Sequence, residues 1–494
     1  QPWNILGPTS IYNIEEAFPV VWRIKFGRRG IFVFRNQEEI PIMKETHNFT
    51  EGKILGPLMR FAGPILLAMF LQSMYGAVDL LIVGKFASTV DVSAVATGSQ
   101  MMHSITGVIT GLAMGVTILL GQYIGEKKPE QAGKVIGSGI ILFLFIAVIM
   151  SIIFAGFAGS FASVLRAPEE AYEGTVQYLQ ICASGIIFIT AFNALGSIFR
   201  GIGDSKMPLL TVSIACIVNI FGDLLLVAVF KMGAAGAAFA TIAAQAVSVL
   251  LSFIIISKRE LPFRFTKSYI KPDRFYMKKI LKYGVPVAMQ DALVSLSFLV
   301  IMAIINNLGL TKSAGVGVAE KVCGFIMLVP AAYMQALSAY VAQNVGAGKL
   351  ERAKKALFYS IGTSILAGTV MFYAAFFHGG VLASIFSNDR EVIRQAADYL
   401  KAYGIDCLLT AELFCFNGYF SGLGKTTFVM LQGIFAAFCI RIPVSWAVSR
   451  LPGVNLFHIG LGIPISTIVQ ILICLTFMLY LSKRYGKGVG NEKD

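Results

Sequence analysis

Apolar residues run through this chain in long uninterrupted blocks, and about 20 in succession suffice for one membrane-spanning helix. Twelve such blocks predict helices near 58–83, 93–120, 135–157, 174–199, 208–230, 233–257, 283–308, 315–341, 356–383, 395–420, 427–449 and 458–481. The connections between them are short, so no large soluble domain fits. Composition agrees with the pattern. The 494 residues are 56% hydrophobic and 14% charged, against about 45–50% and about 25% in soluble chains. An all-α polytopic membrane protein is the expected fold.

Charge placement gives the orientation. The connections after spans two, four, six, eight and ten, and the segment after the last, hold 3, 2, 9, 4, 1 and 4 Lys or Arg. The opposite connections hold about one each: Lys85, Arg166, Lys231, Lys312, Arg390 and Arg450. Basic loops stay in the cytoplasm, which places both termini inside, in a multi-pass protein of the inner (plasma) membrane. The net charge of 41 − 27 = +14 is therefore a property of one face, and nucleic acid is not an expected partner. The seven cysteines all fall within apolar segments without a C-x-x-C pair, so neither a disulfide framework nor a zinc site is expected. The four histidines are dispersed, and no metal centre is expected from them.

Residues 1–42 contain no methionine, and Met43 followed by Lys-Glu-Thr-His reads like a bacterial start. The segment lacks the features of a signal peptide and is read as an extension. Asn48-Phe-Thr50 matches a glycosylation sequon but lies on the expected cytoplasmic side.

One repeat organises the rest. Gln122 to Lys134 lies against Gln343 to Lys355 at an offset of 221, with six of thirteen positions identical. The same offset sets Tyr178-Leu179 on Tyr399-Leu400, and Phe199-Arg-Gly-Ile-Gly203 on Phe420-Ser-Gly-Leu-Gly424. Pro64 matches Pro286 with one extra residue. Six spans per copy is an even number, so the copies are parallel repeats, an arrangement that transporters use to place substrate between two halves. The predicted organisation is a cytoplasmic, disorder-prone extension (1–53), an N-lobe (54–257), a basic linker (258–282), a C-lobe (283–482) and a cytoplasmic tail (483–494). Gly422-Leu-Gly-Lys-Thr426 is not a phosphate-binding loop, because the first required glycine falls on Tyr419.

Several motifs resemble the multidrug and toxic compound extrusion (MATE) family. They are Gly63-Pro64 with Val78-Asp79-Leu-Leu-Ile-Val-Gly84, the Gly-rich second span, Arg200-Gly-Ile-Gly-Asp204, and Val218-Asn219-Ile-Phe-Gly-Asp223. The resemblance spans about residues 54–485 and implies two six-helix bundles in a V that exchange lipophilic, often cationic compounds for protons or sodium ions. It also implies an ion-coupling set of Asp79, Asn193, Asn219, Asp223 and Thr241, as in the archaeal and DNA-damage-inducible branch, with Pro64 as a hinge. The carboxylates of another branch fall here on Val294 and Thr410, and its Arg on Ser421. Nearby Gln290, Asp291, Asp406 and Glu412 are candidate substrate-cavity residues instead. Arg441 joins them as a buried or snorkelling cation paired with Asp406 or Glu412.

Depth supports the set. Asp79 and Asp223 lie six and seven residues from the outer ends of their spans, roughly 9–11 Å below that surface at about 1.5 Å per residue. Asn219 is one turn from Asp223, and Thr241 arrives at a similar level. Intramembrane carboxylates are costly and face a bundle interior or a water-filled cavity. The pair suits a proton, and the oxygens of Asp79, Asn219 and Asp223 equally suit sodium; spacing does not choose. The expected activity is secondary active multidrug efflux by a monomer without cofactor or catalysis, with small-molecule drugs or toxic organic cations and membrane lipids as partners. The alternative is a flippase for lipid-linked sugars or peptidoglycan precursors.

Overall fold

The computed structural model describes residues 49–258 and 266–490. The extension 1–42, Met43, Asn48, residues 259–265 of the linker and the last four residues of the tail lie outside that range. Seventeen α-helices and no strands make up the described residues. The N-lobe is built from α1 (Leu55–Phe86), α2 (Thr89–Gly125), α3 (Pro129–Gly156), α4 (Ala158–Val164), α5 (Tyr172–Ser184), α6 (Ile186–Ile202), α7 (Lys206–Asp223) and α8 (Gly233–Lys258). The C-lobe follows with α9 (Arg274–Asn306), α10 (Leu310–Ile326), α11 (Leu328–Gly346), α12 (Leu350–Ser384), α13 (Arg390–Gly422), α14 (Thr426–Phe435), α15 (Ile442–Ser449), α16 (Leu456–Gly460) and α17 (Gly462–Gly490).

Ten helical stretches among the described residues are long and apolar enough to cross a membrane, and a bent pair makes eleven. That pair is the predicted fourth span. It is broken at Gly185 into two arms meeting at 52°, because Gly185 packs directly on Ile242 of α8 and leaves no room for a side chain. The predicted tenth span is α13, a 33-residue helix that Asp406, Glu412 and Asn417 make more polar than those ten. The predicted seventh span starts nine residues early, since Asp273 caps the backbone N–H of Phe275 at 2.9 Å and the helix begins at Arg274. The two R-G-I-G-type turns close as left-handed glycines, with φ of +94° at Gly203 and +74° at Gly424.

The lobes meet at the end that carries the basic connections, and the repeat supplies the contact twice. Gln122 donates to the carbonyl of Gly422 at 3.3 Å, while Gln343 donates to the carbonyl of Gly201 at 2.9 Å. Gly125 abuts the Gln343 carbonyl, and Gly346 abuts the Gln122 carbonyl. Farther along α2, Gly115 faces Ile280 and Gly284, and a Cβ on Gly111 would come within 2.7 Å of the Ala288 backbone. Small residues thus let α2 lie directly on α9.

Helix α1 changes partners along its length. Leu58, Phe61, Ala62 and Ile65 pack with Ala336, Leu337 and Tyr340 of α11. Ile82 and Val83 pack instead with Ala94 and Val95 of α2. Ahead of α1, Phe49 is fully buried against the rings of Phe61 and Tyr340, 4.9 and 5.0 Å away. Arg352 donates to the carbonyls of Phe49, Gly52, Glu51 and Lys53 at 2.7–3.1 Å, and Lys349 donates to Thr50 at 2.9 Å. Hydrogen bonds from a charged donor contribute roughly 1.5–3 kcal/mol. Arg352→Ala is therefore expected to speed amide exchange in residues 49–53 by about tenfold or more, and unchanged exchange there would show that Phe49 alone holds the strap.

Candidate functional site

The site is built on three N-lobe helices. On α7, Asn219 and Asp223 are one turn apart and both fully buried. A Cβ on Gly222 would come within 2.9 Å of the Ala240 side chain, so α7 and α8 approach closely and carry a polar seam. Along it, Ser248 donates to the Thr211 carbonyl at 3.0 Å and Asn219 donates to the Thr241 hydroxyl at 3.5 Å. Helix α1 brings Asp79, 5% exposed, into the neighbourhood of the Asp223 carboxyl. Immediately after Asp223 the span continues as a π-helical turn, Leu224–Val229, a feature that recurs at functional sites.

Two further members escaped the sequence reading. Tyr75 and Gln245 bond each other, with the Gln245 amide donating to the phenol at 3.3 Å. Each lies one helical turn from a predicted residue, Tyr75 before Asp79 and Gln245 after Thr241, so the helical period was the available signal. Five buried oxygens on these three helices have no hydrogen-bond partner among the described residues: Oδ1 of Asp79, Oδ1 of Asn219, both carboxyl oxygens of Asp223 and Oε1 of Gln245. Buried acceptors left unpaired cost about 1–3 kcal/mol each, and such a set on three helices is suited to receive a cation.

The other predicted residues are distributed differently. Asn193 accepts from Thr110 at 2.9 Å and donates to the Ile189 carbonyl at 2.8 Å, so its bonds tie α6 to α2. Pro64 lies in the part of α1 that packs on α11, within an unbroken helix. In the C-lobe, Gln290 is half-buried against Gly433 and Glu412 is half-buried on α13. Asp291 is exposed, three residues beyond the Ala288 contact with α2. Arg441 is buried rather than snorkelling. It makes no ion pair with Asp406 or Glu412; its bonds go to Ser466 at 3.3 Å and Ser297 at 3.2 Å.

Two docked six-span repeats, with buried carboxyls in one lobe, define a secondary-transporter architecture. The MatE family model matches residues 64–225 and 286–447, and the chain belongs to this family of transporters. "Probable multidrug resistance protein YpnP" of Bacillus subtilis (strain 168) is 27% identical over 449 residues, covering 90% of this chain and 98% of that protein. "Multidrug export protein MepA" of Staphylococcus saprophyticus is 24% identical over 437 residues, covering 87% and 94%. Among solved structures, a MOP superfamily transporter from Pyrococcus furiosus aligns with a TM-score of 0.83 at 20% identity, covering 89% of this chain and 98% of that one. A multidrug resistance MATE family transporter in an outward-facing conformation aligns with a TM-score of 0.84 at 19% identity, covering 89% and 98%.

Proposed function

We propose that this chain exports lipophilic, often cationic small molecules across the plasma membrane in exchange for protons or sodium ions bound by Asp79 and Asp223. The five unpartnered buried oxygens carried by α1, α7 and α8 at and beside that pair support the reading. A proton held between two carboxyls, or a sodium ion held by Asp79, Asn219 and Asp223, would satisfy several of those oxygens at once. Tyr75, Gln245 and Thr241 complete the surroundings. With the basic connections in the cytoplasm, the contacts through Gln122 and Gln343 close the inner side, and access to the substrate is from the outer side. Asp291, exposed beyond the α2–α9 contact, is then the carboxylate that a cationic substrate would meet.

Helix α1 is the mechanical link. Its outer half carries Asp79 and its inner half packs on α11, so loading the site acts on the same helix that seals the lobes. Pro64 leaves one carbonyl of that inner half without its helical donor, a place where α1 can bend.

The chain reconstituted in proteoliposomes should drive uptake of a cationic dye when a gradient of one ion is imposed. A pH gradient and a sodium gradient, applied separately, identify which ion is exchanged. Transport indifferent to both gradients would remove the exchange reading.

A further inference from the structure

The C-lobe repeats the architecture of the N-lobe site with the opposite charge. The two matched segments, 64–225 and 286–447, are offset by 286 − 64 = 222 residues. That offset sets Arg441 on Asn219 and Ser297 on Tyr75, while Ser466 stands 221 residues after Gln245. Arg441 closes a π-helical turn, Ala436–Arg441, in the span equivalent to the one carrying Asp223. Arg441 is 6% exposed. It donates to the Ser466 hydroxyl of α17 at 3.3 Å and the Ser297 hydroxyl of α9 at 3.2 Å, and lies 4.6 Å from the centre of the Phe298 ring. Helices α9, α14–α15 and α17 are the repeat partners of α1, α7 and α8, so the group sits where the N-lobe gathers its oxygens.

Asp406 supplies the counter-charge. It is 3% exposed, accepts from Thr410 at 2.7 Å and lies within electrostatic range of Arg441. No ion pair within 4 Å joins the two among the described residues, and Oδ1 of Asp406 has no hydrogen-bond partner there. The nearby Asp406 carboxylate disfavours a bound anion. A mobile cation would be repelled, because arginine keeps its proton in proteins.

We propose that Arg441 is a tethered cation standing in the C-lobe for the ion that the N-lobe exchanges, so that the transporter has a single exchange site. The proposal rests on the N-lobe reading above, and the measurement separates the two. Cation loading is counted per chain on the purified full-length protein in nanodiscs, as 22Na+ bound and as protons taken up after a pH jump. The wild type should load one ion, and Asp79→Asn/Asp223→Asn none. Arg441→Met should double the loading to two, with the added ion surviving in the Asp79→Asn/Asp223→Asn background and disappearing with Asp406→Asn. Arg441→Gln, which retains a donor for Ser297 and Ser466, carries the same expectation if Arg441→Met does not fold. Asp406→Asn alone should leave the wild-type loading at one. No gain in a folded Arg441 variant, or loss of an ion in Asp406→Asn alone, overturns the tethered cation. Loading that survives Asp79→Asn/Asp223→Asn in the otherwise wild-type chain instead removes the N-lobe site.

Discussion

Asp79→Asn should reduce the dye accumulation ratio sustained by an imposed gradient to about one, with expression, thermal unfolding and dye binding retained. Asparagine keeps the shape and the hydrogen-bonding capacity of the side chain but neither holds an exchangeable proton nor contributes a charge to a bound sodium ion. Moving one charge across 100 mV is worth about 2.3 kcal/mol, equivalent to a concentration ratio on the order of 50. That whole ratio is at stake if the exchanged ion has no place to bind. Asp223→Asn should behave alike, because either substitution leaves a single carboxyl where the site needs two. Fold loss is not the expected outcome, since Asp79 lies 5% exposed among unpaired acceptors to which an amide N–H can donate. Undiminished uphill transport by Asp79→Asn would remove the carboxyl pair from the mechanism.

Much of the architecture was legible because the bilayer imposes it. A run of about 20 apolar residues has few other uses, and basic loops mark one face. The exceptions have local causes. Helix α13 is polar because it lies inside the C-lobe, with Tyr399, Asp406 and Phe416 nearly inaccessible, so hydrocarbon does not select its sequence as it does for α3. The break at Gly185 was hidden because it depends on Ile242 of a neighbouring helix, which no periodicity within the fourth span reveals. At the site, Asp79, Asn219, Asp223 and Thr241 stood out as intramembrane polar groups at one depth. Tyr75 and Gln245 did not, because amphipathic side chains are common in spans and only their mutual hydrogen bond marks them. Asn193 shares the polarity of the set, and its hydrogen bonds go to Thr110 and Ile189. The Gln122 and Gln343 copies were visible as a repeat, but their purpose is relational. Each reaches into the opposite lobe, and docking had to be seen before the spacing acquired a meaning.

That docking yields the second large effect. Gly125→Val/Gly346→Val should force the lobes apart at the basic end and reduce transport at least tenfold, while leaving each lobe folded. A Cβ on Gly125 would overlap the Gln343 carbonyl, and one on Gly346 would overlap the Gln122 carbonyl. Both obstacles are backbone, so no rotamer change relieves them. Overpacking of this kind costs about 1–3 kcal/mol per site. Separating the lobes also forfeits the Gln122–Gly422 and Gln343–Gly201 bonds, each worth about 1 kcal/mol. Inverting a two-state population from 1:99 to 99:1 takes about 5.5 kcal/mol, so the double substitution is large enough to shift which side is open. Spin labels placed at Lys127 and Lys349 should report a longer separation in the variant than in the wild type. Gly362→Ala is the matched control, because nothing lies within 4 Å of a Cβ there, and it should change neither distance nor transport. A double variant with wild-type label separation and full transport would mean that the reciprocal glutamine contacts do not close the inner side.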